Sequence, residues 1–308
     1  MDLGELKTAK GKKRRAERFA QLANEVINTN YTKLGNVIRS DAKRLARLES
    51  LFSHELLNTM TGPSVDIGTP LALSTEMVSQ IVELEPIDGL RHSRLISGLK
   101  SSVKFSLQKQ LQIGMFQGES TEQLIRRVRG TKANGFRDGV FTGASKNSIE
   151  RIVRTTITHV SNRARLETFK QHKDITTSYE FVATLDERTT PVCIKNDGKT
   201  FLYSDARGLL PPLHTGCRST VIAIINWKGI GVEPPNRGTR ATDEGQVSSK
   251  ETYKTWLKKQ SAEKQNRILG PTKAKWFRQG KVTLDDLVRR DGRSKTIAQL
   301  EQELFKRN

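Results

Sequence analysis

The sequence predicts an α+β fold: a mainly helical N-terminal arm, a small central α+β module with a few-stranded sheet, and a short helical basic tail. Three observations predict it. Apolar residues recur at helical spacing over residues 1–60, over Leu99, Val103, Leu107 and Leu111, and over Ile149, Val153, Ile157, Val160 and Ala164. Tyr179, Phe181 and Ala183 then alternate with Glu180, Val182 and Thr184, and residues 221–225 are continuously apolar, which are two strand patterns. Beyond residue 250, Thr283/Asp286 and Thr296/Gln299 have capping-pair spacing and mark the starts of short helices.

In chain order, the N-terminal region 1–114 carries two apolar stripes. One is Phe19, Leu22, Ala23, Val26 and Ile27; the other is Leu45, Leu48, Leu51, Phe52 and Leu56. Residues 61–70, with Gly62-Pro63 and Gly68, read as a loop. The central module, 115–227, opens with Ser120 and Gln123 as a capping box that turns Leu124 and Val128 inward. Residues 130–147, rich in Gly, Lys and Asn, read as an exposed loop ahead of the helix from Ile149. Residues 228–249 are rich in Gly, Pro and Thr and read as a linker, and 250–308 form the basic tail.

The chain has 308 residues and a net charge of +20, unevenly spread. Residues 1–50 are net +6, residues 101–175 net +8 and residues 246–308 net +9, whereas residues 176–245 are neutral. Basic flanks of this size attract polyanions through counterion release, without sequence specificity. The candidate contacts are Lys12, Lys13, Arg14 and Arg15 in the basic run 10–18, and Arg154, Arg163 and Arg165 on the helix after Ile149. The alternative is a solvated, solubilising face with i,i+4 pairing. Aromatic residues make up 6%, which argues against a single-strand binder built on base stacking. No apolar run follows the N-terminal basic cluster, and none approaches the ~18 residues a membrane span needs, so no membrane partner is expected. Neither a phosphate-binding loop nor a dinucleotide fingerprint occurs.

The informative stretch is 181–219. It contains Asp186-Glu187-Arg188-Thr189-Thr190, Cys193, Asp197-Gly198-Lys199-Thr200-Phe201 and Pro211-Pro212-Leu213-His214-Thr215-Gly216-Cys217-Arg218-Ser219. These elements, with Arg154-Thr155-Thr156 and Asn162-x-Ala164-Arg165 upstream, resemble the Mu F-like head morphogenesis (minor head protein) family of tailed bacteriophages over roughly residues 118–226. The family often ends in Cys-Arg-Cys, where this chain has Cys217-Arg218-Ser219. Parts of the stretch from Tyr253 to Leu287 resemble the tail found in these proteins.

Cys193, His214 and Cys217 form a candidate zinc-ligand set, with Asp186 or Asp197 as a fourth ligand. The alternative is a buried thiol pair and a hydrogen-bonded histidine that tie the turn together. A catalytic alternative makes Cys217 or Thr189 the nucleophile and His214 its base, but no orienting carboxylate can be assigned from spacing. Asp186, Arg188, Thr189, Gly198, Pro212 and Arg218 read as structural. Asp186 is expected to accept backbone N–H groups of the following turn and to pair with Arg188 or Arg218.

The resemblance implies a non-enzymatic, low-copy internal virion protein near the portal vertex, made in the host cytoplasm. Its expected partners are the portal protein, capsid or scaffold protein, and double-stranded genomic DNA bound non-specifically. It would assist procapsid assembly and genome packaging or ejection. Two rivals are a capsid-carried enzyme of nuclease or ADP-ribosyltransferase type and a free DNA-binding protein.

Overall fold

The computed structural model describes residues 9–305 apart from 88, 141–142, 206–207, 236–237 and 290–291. Before the first strand, the described residues include the α-helices α1 (Ala9–Thr61), α2 (Thr75–Ser79), α3 (His92–Phe116), α4 (Thr121–Arg129) and α5 (Gly143–Gln171). Then come β1 (Thr176–Val182), α6 (Pro191–Asn196), β2 (Thr200–Leu202), β3 (Thr220–Ile225), α7 (Trp227–Ile230), β4 (Thr239–Thr242) and β5 (Gly245–Ser248). The chain continues through α8 (Tyr253–Lys259), α9 (Ala262–Leu269), α10 (Pro271–Arg278) and α11 (Ile297–Phe305). The α+β class read from the sequence holds.

Two structural units emerge. One comprises the chain up to Arg44 with Ser79–Ile157, the other Leu45–Val78 with the chain from Thr158 onward. The first is helical. The four-residue steps of Leu99, Val103, Leu107 and Leu111 put one face of α3 against Ile27 of α1 and Val128 of α4, with Ile149 and Ile152 packed alongside. The Ser120–Gln123 capping box forms as the sequence predicts, each residue's side chain serving the other's backbone N–H. Gly114 lets α4 approach α3, because a Cβ there would stand 2.4 Å from Leu124 Cδ2.

The second unit contains an antiparallel three-stranded sheet in the order β2-β1-β3, with Tyr179 opposite Phe201 on one side and Ala223 on the other. Tyr179, Phe181 and Ala183 are buried, as the alternation predicts. The apolar run 221–225 is one-faced: Val221 and Ile225 are buried, while Ile222 stands out to solvent.

Three sequence expectations need correction. The stripe Leu48, Leu51, Phe52 and Leu56 is not the core face of α1: Leu48 is 61% and Phe52 56% exposed. The helix instead buries Ala46, Ser50, Ser53, His54, Leu57 and Thr61. Small and polar residues win there because they have partners on and just beyond α5. Ser50 Oγ lies 3.0 Å from Thr168 Oγ1, and His54 Nδ1 lies 3.0 Å from His172 Nε2.

The stretch 228–249, expected as a linker, contains the end of α7 and the β4–β5 hairpin, fixed by Arg240. Nor is the tail separate from the module. Leu185 and Ile194 share one hydrophobic cluster with Tyr253, Trp256, Leu257, Phe277 and Leu300. Thr296 and Gln299 cap α11 as expected. The Thr283–Asp286 pair also forms, but it closes only an isolated turn.

Candidate functional site

The signature segment is organised by two buried carboxylates. Asp186 sits where β1 gives way to the turn before α6. Its Oδ1 accepts the Arg188 N–H at 3.0 Å and lies 3.0 Å from Thr189 Oγ1, the turn expected of an Asx residue. The arginine that pairs with it is Arg218, whose two terminal nitrogens reach both carboxylate oxygens, Nη2 to Oδ1 at 2.7 Å. Arg188 contributes its backbone instead. Burial alone pushes the Asp186 carboxyl up, but Arg218, Thr189 and the Arg188 N–H together outweigh it and hold the group below its usual value. The Tyr253 hydroxyl donates to the Asp186 carbonyl at 2.7 Å, joining α8 to this turn.

Asp197 closes α6 and has no exposed side-chain surface. It accepts the backbone N–H groups of Ala183 and Tyr253, both at 2.6 Å, as well as the Arg240 guanidinium. Gly198 follows at φ +78°, and its N–H reaches the Phe181 carbonyl at 2.8 Å. Pro212 follows a cis peptide bond in the loop that leads to His214.

Both carboxylates are therefore committed, and neither Asp186 nor Asp197 is free to be a fourth metal ligand. The other three candidates do converge. Cys193, His214 and Cys217 place their donor atoms within 4.8 Å of one another. Cys193 Sγ lies 3.6 Å from Cys217 Sγ and 3.4 Å from His214 Nε2. Both thiols are buried beside Phe181 and Ala183, with Val192 and Leu213 packed against them. The hydrogen bond between the sulfurs separates their acidities: it pushes the Cys193 thiol up with help from burial, and holds Cys217 down with help from His214. Thr189, considered as a nucleophile with His214, does not meet it. Its hydroxyl lies 2.6 Å from the Thr184 carbonyl, and Thr190 Oγ1 is the one 2.8 Å from His214 Nε2.

Helix α5 grips the other end of the signature. Thr158 Oγ1 donates to the Cys217 carbonyl at 2.8 Å, and Asn162 Oδ1 accepts the Val221 N–H at 3.0 Å. Asn162 Nδ2 also reaches the Ser219 carbonyl. Sequence reasoning misses Arg240, Tyr253, Thr158 and Asn162 as site residues, and it names Asp197 only as an alternative fourth metal ligand. Asn162 stood in the motif Asn-x-Ala-Arg, which was the available signal.

The basic candidates divide. Arg165 is spent internally, on Glu49 and on the Thr220 hydroxyl. Its assignment as a DNA or partner contact is thereby corrected. Arg154 lies on the exposed helix surface and pairs with Glu150 at 2.7 Å. The charge of Arg163 lowers the pKa of the Tyr179 hydroxyl against the larger upward effect of burial. Arg14 is exposed, while the side chains of Lys12, Lys13 and Arg15 lie outside the described residues.

Residues 106–222 match the family model described as Phage Mu protein F like protein. That segment runs from α3 through the Asp186 turn and the Cys-His-Cys cluster into β3, and it is similar to phage Mu protein F. No curated protein and no solved structure matches the chain. Among the described residues, no helix is long and apolar enough to cross a membrane.

Proposed function

We propose that this chain is a low-copy, non-enzymatic component of the phage head interior that docks on the portal protein near its vertex. There it assists procapsid assembly and genome packaging or ejection, with its basic segments resting on double-stranded DNA without reading sequence. Capsid or scaffold protein is the second expected neighbour. The observation that carries the docking reading, beside the family match, is the outward stripe of α1. Leu48, Leu51, Phe52 and Leu56 all stand in solvent on the side of the helix away from Ala46, Ser50 and Leu57. An apolar row left uncovered on a folded helix marks a protein-binding face. The charge of +20 supports closeness to a polyanion, and the spending of Arg165 inside the fold leaves that role to the other basic residues.

The test is co-purification of the full chain with the portal protein of its own phage at low and raised salt. Retention at raised salt, lost in Leu48→Glu/Phe52→Glu, is the expected result. Release of the portal at both salt levels, with DNA still captured at low salt, would overturn the docking reading and leave a free DNA-binding protein.

A further inference from the structure

We propose that Cys193, Cys217 and His214 bind one zinc ion, with a water molecule as the fourth ligand on the His214 side. The inference stands apart from the proposed docking function and rests on the cluster's own geometry.

Zinc bound by thiolate at about 2.3 Å and imidazole at about 2.0–2.1 Å in a tetrahedron sets ligand edges of about 3.8 Å between sulfurs and about 3.6 Å between sulfur and nitrogen. Two of the three edges here are 3.6 Å and 3.4 Å, each within a few tenths of an ångström of those values, and all three donor atoms lie within 4.8 Å of one another. A thiol–thiol hydrogen bond has a similar length, so the sulfur separation alone does not decide. The histidine does. Its Nδ1 lies 3.1 Å from the Thr215 carbonyl, which can only accept, so Nδ1 carries the proton and the Nε2 lone pair faces Thr190 Oγ1 at 2.8 Å and Cys193 Sγ at 3.4 Å; a bound ion would take the place of the Thr190 hydrogen bond. A backbone carbonyl holding the far N–H is the usual support of a metal-ligating imidazole.

The scaffold holds all three donors without an ion. Cys193 is fixed in the first turn of α6, whose Thr190 carbonyl accepts its N–H at 3.0 Å. The Cys217 N–H closes the His-x-x-Cys turn on the His214 carbonyl at 3.1 Å, and Thr158 holds the Cys217 carbonyl from α5. Charge also balances. Two thiolates neutralise a divalent zinc ion, so the filled site places no net charge among Phe181, Ala183 and Leu213. The thiol protons leave to solvent as the metal enters. Soft sulfur donors select zinc over magnesium or calcium. Both cysteines are buried and His214 is half-buried, which leaves the solvent side for the water.

The experiment is a cobalt(II) titration of the full chain, purified under reductant and stripped of metal, followed by zinc displacement. Expected are one equivalent bound, a thiolate-to-cobalt charge-transfer band with tetrahedral d–d bands, and loss of the spectrum on adding zinc. Cys193→Ser and Cys217→Ser remove the charge-transfer intensity stepwise. His214→Ala weakens binding by more than the roughly 10–100-fold that loss of a ligand's supporting hydrogen bond costs. Should these variants unfold, alkylation of the wild-type thiols decides instead, with zinc expected to slow it at least about tenfold. An octahedral or absent cobalt spectrum, equal alkylation with and without zinc, or a Cys193–Cys217 disulfide in the reductant-purified chain would each overturn the site.

Discussion

Asp197 and Arg240, 43 residues apart in the chain, meet inside the second unit: Arg240 Nη2 lies 2.9 Å from Asp197 Oδ1, and Nη1 3.2 Å from Oδ2. The same guanidinium also donates to the carbonyls of Ala183 and Glu251, so one side chain ties β4, α6, the end of β1 and the entry to α8. Removing Arg240 strands a fully buried carboxylate, and removing Asp197 leaves a guanidinium whose side chain is only 12% exposed. Arg240→Ala or Asp197→Asn is expected to cost about 3–5 kcal/mol in urea unfolding. The double variant Asp197→Ala/Arg240→Ala is expected to lose less than the two single losses combined, and strict additivity would show that the pair is not coupled.

Gly198 stands next to this pair at φ +78°, and a Cβ there would lie 3.1 Å from Thr252 Cγ2. Gly198→Ala is therefore expected to destabilise the protein by about 1–2 kcal/mol, read as a lower urea midpoint with an unchanged slope.

His172 gives the second unit an acid-sensitive joint. Burial, then the neighbouring His54, hold its pKa below the ordinary 6.5. The folded state thus binds fewer protons than the unfolded chain in that range. The associated stability is fully present above about pH 6.5 and is lost as pH falls below it. The melting temperature should decline between pH 7 and pH 5, and His172→Gln should flatten the decline. An equally steep profile in the variant would remove His172 as its source.

The basic residues are expected to separate by salt dependence. Each phosphate contact contributes about −0.9 to the slope of log K against log salt on duplex DNA. Replacing Lys12, Lys13, Arg14 and Arg15 with Gln should make the slope shallower by up to about 3.6. Arg165→Gln should leave the slope unchanged and lower thermal stability instead, because it strips Glu49 of its partner. A shallower slope for Arg165→Gln would restore it to the contact surface.

What could be read from the sequence was local. The Asp186 turn, the Ser120 and Thr296 caps, and the meeting of Cys193 with the His-x-x-Cys turn all follow from short spacings or a limited set of donors. The choice between Arg188 and Arg218 for Asp186 needed the fold, because both are near in sequence or in motif and only one is near in space. The buried face of α1 was misread for a clearer reason. Periodicity assigns the core to the most apolar stripe, yet Ser50 and His54 are buried by hydrogen-bond partners 118 residues away. Arg240 looked like part of a polar linker because its partner Asp197 lies beyond any local window.

The sharing of one apolar cluster by Leu185, Ile194 and Leu300 bears on how the chain is made. A ribosome finishing the Mu F-like segment has still to deliver most of the residues that cover Leu185 and Ile194. At about 5–20 residues per second the half-made chain carries that apolar surface bare for on the order of ten seconds. A fragment cut at residue 222, where the family match ends, would carry it permanently and should be sticky at any concentration useful for biochemistry. The unit that evolution recognises as a module is in this chain shorter than the unit that physics can fold.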